Sequence, residues 1–201
     1  MNETIDRIIH YWFGDSQSLL EINAEKSGLW WSKDASVDQD ITERFEQVTR
    51  KVIAGELSDW QNTPRGLLAL ILCTDQFPRN MYRNTPGAFD CDALALSYVN
   101  TLLDAGAENE LRVIERVFCY LPFEHSEKMV DQNRAVSLYE ALVESGETEK
   151  EKEIIRGYLR FAIKHRDFIQ RFGRFPHRNV ILGRLSTEEE REFLLQPGSS
   201  F

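Results

Sequence analysis

The chain of 201 residues predicts an all-α protein, about eight or nine helices packed as antiparallel hairpins in a single domain spanning residues 1–201. Three observations carry this. Apolar residues recur at helical spacing through most segments. Alternating strand patterns are almost absent. The breaks between segments are short and carry Gly, Pro or capping residues.

Taken in order, Asn2–Phe13 sets Ile5, Ile8, Ile9 and Trp12 on one side and ends at Gly14. Leu19–Trp31 is a weaker helix closing on Trp30 and Trp31, which read as packing ridges. Asp38–Ala54 spaces Ile41, Phe45, Val48 and Val52 along one face, and Gly55 stops it. Trp60 follows in a short loop. Thr63-Pro64 opens the next helix, with threonine as N-cap and proline at the first helical position. Its body, LLALILC, is apolar all round and marks the central buried helix. Thr85-Pro86 repeats the start signal before Ala93–Ala105, which Gly106 closes. Leu111–Tyr120 runs to Leu121-Pro122, and a separate helix, Glu124–Val143, is predicted beyond it. An acidic loop around Gly146–Lys150 leads into Ile154–Phe172. Ser186-Thr187-Glu188-Glu189 is a capping box for a last short helix, and 197–201, PGSSF, reads as a flexible tail. No long-period repeat is visible.

The totals narrow the function. A composition of 42% hydrophobic and 28% charged residues is that of a soluble globular protein. The N-terminal MNETIDRIIHYWFG carries acids early and has no secretory pattern. Gly66–Cys73 is the longest apolar run, too short for a membrane span. Cys73, Cys91 and Cys119 are isolated among apolar residues, as buried thiols are. These features predict a cytoplasmic protein with no membrane partner. No HExxH, CxxC, GxSxG, P-loop or GxGxxG is present, and His125, His165 and His177 lack ligand spacing. Neither a metal nor a cofactor is expected.

Charge is segregated. The formal net charge is −9, yet Arg156–Arg184 holds eight Lys or Arg and one acid, +7, which leaves −16 for the rest. The overall acidity argues against nucleic acid as a general partner, but a basic block must face something negative. Three buried stripes also turn from apolar to charged. Leu68 and Ile71 are followed on one face by Asp75 and Arg79. Ala135, Leu138 and Leu142 continue backward as Asp131, Glu127 and Glu124. The stripe Ile155, Tyr158, Ala162, Ile169 is interrupted by His165 and Arg166. Unpaired charges on such faces are too costly, so they must meet one another, water or a ligand. A short echo joins Gln76-Phe77-Pro78-Arg79-Asn80 to Arg174-Phe175-Pro176-His177-Arg178-Asn179, and two similar helix stops account for it.

Together these predict a polar pocket between helices for a small anionic ligand or an acidic peptide end. Its lining is Asp75, Arg79, Glu124, His125, Glu127, His165, Arg166, Arg174, His177 and Arg178. A second reading makes the pocket a hydrolase-like enzyme, with Glu124 or Glu127 as general base and His125 or His177 as proton shuttle. A third makes the chain a helical scaffold for a protein partner, its buried charges a structural network and its basic face neutralising its own acidic helices. A surface for RNA, with Phe172 and Phe175 for stacking, is a further option for the basic block. Oligomeric state is left open.

TPRGLLALILCTDQFPRNMYR, LPFEHSE followed by DQ, and RFGRFPHRNVILGR with PGSSF resemble the bacterial family of domain of unknown function 924. YWFG and WWSKD near the N-terminus fit as well, so the likeness spans nearly the whole chain. The resemblance implies an all-helical, tetratricopeptide-like fold. It implies no activity, substrate or catalytic residue.

Overall fold

The computed structural model describes residues 3–201, so Asn2, where the first helix was expected to begin, lies outside the described residues. Within them the chain is helical and has no strand. The helices are α1 Glu3–Phe13, α2 Leu19–Trp31, α3 Ala35–Ile53, α4 Pro64–Ile71, α5 Phe77–Met81, α6 Asp92–Asp104, α7 Val113–His125, α8 Met129–Glu144, α9 Glu149–Phe172 and α10 Glu188–Leu194. A π-helical turn, Leu72–Gln76, joins α4 to α5 without a break, so the described residues form nine rods.

The central rod lies where the apolar run places it. Leu67, Leu68, Ala69, Leu70 and Ile71 are all buried. Thr63 caps it by accepting from the Gly66 amide. Gly66 has no substitute here: a Cβ would sit 1.9 Å from the Trp60 carbonyl oxygen. An aromatic girdle binds the N-terminal helices to this rod and to α7. Trp12 meets Phe77 and Phe118 edge-on at 5.6 and 5.7 Å, and Phe13 meets Phe118 at 5.3 Å. Trp30 donates its indole N–H to the Trp12 carbonyl at 2.9 Å. Each fully buried large apolar side chain in this core contributes roughly 1.5–3 kcal/mol.

Proline does not stop the chain where its chemistry suggested. Pro78 has no amide hydrogen to give and its ring crowds the carbonyl four residues back. The rod widens instead: the Phe77 amide donates to Leu72, five residues back, and the helix resumes. Pro122 likewise lies inside α7, which runs on to His125. The expected helix Glu124–Val143 is therefore two pieces. Glu124 and His125 close α7, and α8 begins at Met129. The break is stabilised by Gln132, fully buried, whose amide donates to the carbonyls of Phe123, Glu124 and Ser126. Ser126 adds a local turn, donating to Asp131 and accepting from the Lys128 amide.

The turn 145–148 brings α8 back along α9, and the Thr148–Glu151 capping box starts α9 at Glu149. A second, smaller apolar cluster follows: Phe168, Ile169, Phe175 and Phe193, with Met129, Phe172 and Phe201 packed on it. The segment 197–201 lies against this cluster, with the Phe201 ring stacked on His165 at 3.5 Å. Phe175 and Phe172 belong to this packing, not to an exposed stacking surface. No helix of the described residues is long and apolar enough to cross a membrane. The three cysteines are free and buried.

Candidate functional site

Between the main core and the smaller cluster lies a buried run of charge. It begins at Asp75, fully buried on the π turn. Its carboxylate takes the Nδ1–H of His125 at 2.7 Å, the amide of Gln76, and an ion pair with Arg79 at 3.2 Å. Burial opposes ionisation of Asp75, but Arg79 and His125 overcome it and hold the carboxyl below its usual range. Arg79 also pairs with Asp92 at 2.9 Å. Arg178 reaches the other oxygen of Asp92 at 3.5 Å. Both guanidiniums lie near the face of Phe89, at 5.8 and 4.6 Å.

The Phe-Pro…Arg-Asn echo thus has a spatial meaning. Its two arginines come from distant stretches and meet on one carboxylate. Arg178 is 6% exposed. Burial, and then the nearby Arg79 charge, lower its pKa to about 10. Three donors in this region have no partner, Nη2 of Arg79, Nε of Arg178 and Nε of Arg184, and neither has the ring nitrogen Nδ1 of His177; all are buried.

Glu127 joins the run from the far side. It takes two bonds from Arg184, at 2.7 and 3.0 Å, and one from the Phe175 amide at 2.8 Å. Against the cost of burial, these bonds hold its pKa low. Convergence of a carboxylate from the 124–127 stretch with an arginine of 171–184 is therefore found. Glu127 also forms one wall of an open groove of about 550 Å³ with Met129, Asn133, Arg166, Ile169, Gln170 and Gly173.

Glu124 behaves differently. It is buried without a cationic partner, and burial followed by the nearby Asp75 raises its pKa to about 8. Its neighbours are Tyr139, which donates to the Val117 carbonyl, and His165 at 3.2 Å. A carboxyl so placed is mainly protonated at pH 7. His165 donates its Nδ1–H to the Phe161 carbonyl at 2.8 Å. The histidines are kept neutral by burial first, and then by neighbouring positive groups. His125 is lowered by burial and Arg79, against the pull of Asp75. His177 falls to about 4 through burial and Arg178.

Two of the expected lining residues turn elsewhere. Arg174 forms a two-pronged pair with Glu190 at 2.7 and 2.8 Å and donates to the Leu185 carbonyl. Arg166 sits in the groove, 3.8 Å from Asp167. Most of the basic block meets the chain's own acids: Arg156 and Arg160 pair with Glu153, and Arg171 with Glu189. Arg178 and Arg184 are the block's members in the buried run. Asp92 and Gln76 were missed as site residues. Gln76 stood beside Asp75 in the echo; Asp92 carried no local signal, being one acid at a helix start. No group of three or more His, Cys, Asp or Glu among the described residues is arranged to hold a metal ion.

The model of a bacterial protein family of unknown function, DUF924, matches residues 8–198. A solved structure of a protein of unknown function from Agrobacterium tumefaciens is 35% identical, with a TM-score of 0.79, over 94% of this chain and 96% of that one. No curated protein matches the chain.

Proposed function

This chain belongs to the bacterial DUF924 family of unknown function, and we propose that it binds a small oxyanion at the Arg79–Arg178 cluster. The observation that carries this is the set of buried, unpartnered guanidinium donors on Arg79, Arg178 and Arg184, with a ring nitrogen of His177 also unpartnered. A buried N–H without an acceptor costs roughly 1–3 kcal/mol, and more when charged. Several such donors in one region are explained by an acceptor-rich ligand. Guanidinium forks match phosphate or carboxylate oxygens. A cytosolic setting, which the free thiols fit, supplies such anions.

Thermal denaturation with inorganic phosphate tests this, with sodium chloride at matched ionic strength as control. Phosphate is expected to raise Tm saturably. Arg178→Ala should abolish the rise, while Arg171→Ala, at an exposed pair with Glu189, keeps it. Free Arg178→Ala should lose less than the ~3 kcal/mol of a broken buried pair, because Asp92 retains Arg79. An equal effect of chloride, or an unchanged response in Arg178→Ala, would overturn the site. A large loss in the free variant with the phosphate response intact would favour a structural network and the scaffold.

A further inference from the structure

His125 and Asp75 are placed as a base and its positioning residue. The ionised Asp75 carboxylate can only accept, so the His125 nitrogen 2.7 Å away, Nδ1, carries the proton. The lone pair is then on Nε2. No group among the described residues hydrogen-bonds that nitrogen, and 14% of the His125 side chain is exposed. A π turn sets Asp75 at this depth, and such turns recur at functional sites. The unpartnered donors of Arg79 and Arg178 belong to the same charged run, Arg79 being paired with Asp75 and Arg178 with Asp92, and such donors suit the charge on a reacting oxyanion.

We propose that this pair activates water against a phosphate ester held by Arg79 and Arg178, making the site hydrolytic; the proposal rests on the anion-binding reading above. Two guanidiniums and His177 can address the three non-bridging oxygens of a phosphoryl group, more acceptors than a carboxylate offers. No serine, threonine or cysteine side chain among the described residues hydrogen-bonds His125, so the nucleophile comes from solvent. In the step, one water O–H bond breaks and its proton passes to Nε2. The water oxygen bonds to phosphorus as the bond from phosphorus to the alcohol oxygen breaks. The departing oxygen, in line and opposite the water, takes a proton from solvent while His125 releases its Nε2 proton to solvent, giving alcohol and phosphate and restoring neutral His125. Asp75 holds the tautomer and favours the transient imidazolium.

The test uses p-nitrophenyl phosphate and a panel of aryl and alkyl phosphates, beside the phosphate Tm measurement. The wild type should hydrolyse at least one. His125→Gln should lose about 100- to 10,000-fold in kcat yet keep the phosphate Tm shift. Asp75→Asn tests positioning. It should lower kcat more than it raises KM, and move the acid limb of the pH profile downward, because the imidazolium loses its anion. The other titratable or charged groups around His125 are Arg79, Asp92, His165 and His177, and the variant leaves them in place. If Asp75→Asn does not fold, His125→Gln carries the comparison. A phosphate Tm shift with no ester hydrolysed above background overturns the activity and leaves the binding site standing. Equal turnover by His125→Gln also overturns it. Absence of any phosphate shift overturns the binding reading and this one with it.

Discussion

Glu124 shows at the residue scale how one position on a face changes a carboxyl's chemistry. Asp75 and Glu124 are both fully buried, yet one is held ionised by Arg79 and the other is driven to about 8 by burial. Between about pH 4.5 and 8 the folded protein holds a Glu124 proton that the unfolded chain releases, so this residue costs stability as pH rises through that window. The lowered histidines work the other way, adding stability as pH rises to their ordinary value near 6.5. Glu124→Gln separates the two. Denaturant titrations should show the variant gaining on wild type from pH 5 to 8, by a few kcal/mol at the upper end. A difference that stays flat across this range would mean Glu124 is not held protonated.

At the element scale, the junction of α7 and α8 decides whether Glu124 and His125 reach the site at all. A single helix from Glu124 onward would carry Glu124 on the same face as Ala135. The break at 126–128 frees α7 to run past Pro122 and end at His125, beside the π turn. Gln132 holds that end by donating to three carbonyls. Gln132→Ala removes the side-chain donor from the Glu124 and Ser126 carbonyls and leaves the Phe123 carbonyl only its Ser126 amide, and chemical denaturation should register a loss of about 2–4 kcal/mol. The phosphate response should weaken in the same variant, because the end of α7 carries His125. A loss under ~0.5 kcal/mol would show that water or a backbone shift satisfies the carbonyls equally well.

For the whole molecule, the notable arrangement is two apolar clusters with the charged run between them. Arg178 and Arg184 reach it from the side of the smaller cluster; Asp75 and Arg79 come from the central rod. An anion bridging Arg79 and Arg178 therefore ties the smaller cluster to the main core. Hydrogen exchange should report this as added protection in residues 174–194 with phosphate, and little change in α1 to α3. Equal protection with and without phosphate would mean that the segment is already fixed by Arg174–Glu190 and Phe193 packing.

Much of the fold was legible in the sequence. Helix type, the buried central rod, the cap at Thr63, a capping box at 186–189 (found one residue on, Thr187 with Glu190) and the burial of the cysteines all depend on local spacing, which a sequence displays directly. The turning of three apolar stripes toward charge was legible as well, because unpaired buried charge is costly wherever it lies. Partner choice was not. Nothing local distinguishes Arg174, taken by Glu190, from Arg178, whose one ion pair is the 3.5 Å contact to Asp92 and which lies over the Phe89 and Phe175 rings. Nor does local sequence say that Pro78 and Pro122 would be accommodated, since the π turn before Pro78 and the continuation of α7 through Pro122 depend on packing against the rest of the chain. Electrostatic fate is set by distances of a few ångströms between stretches far apart in the chain. Such distances exist only once the main core and the smaller cluster have closed on one another.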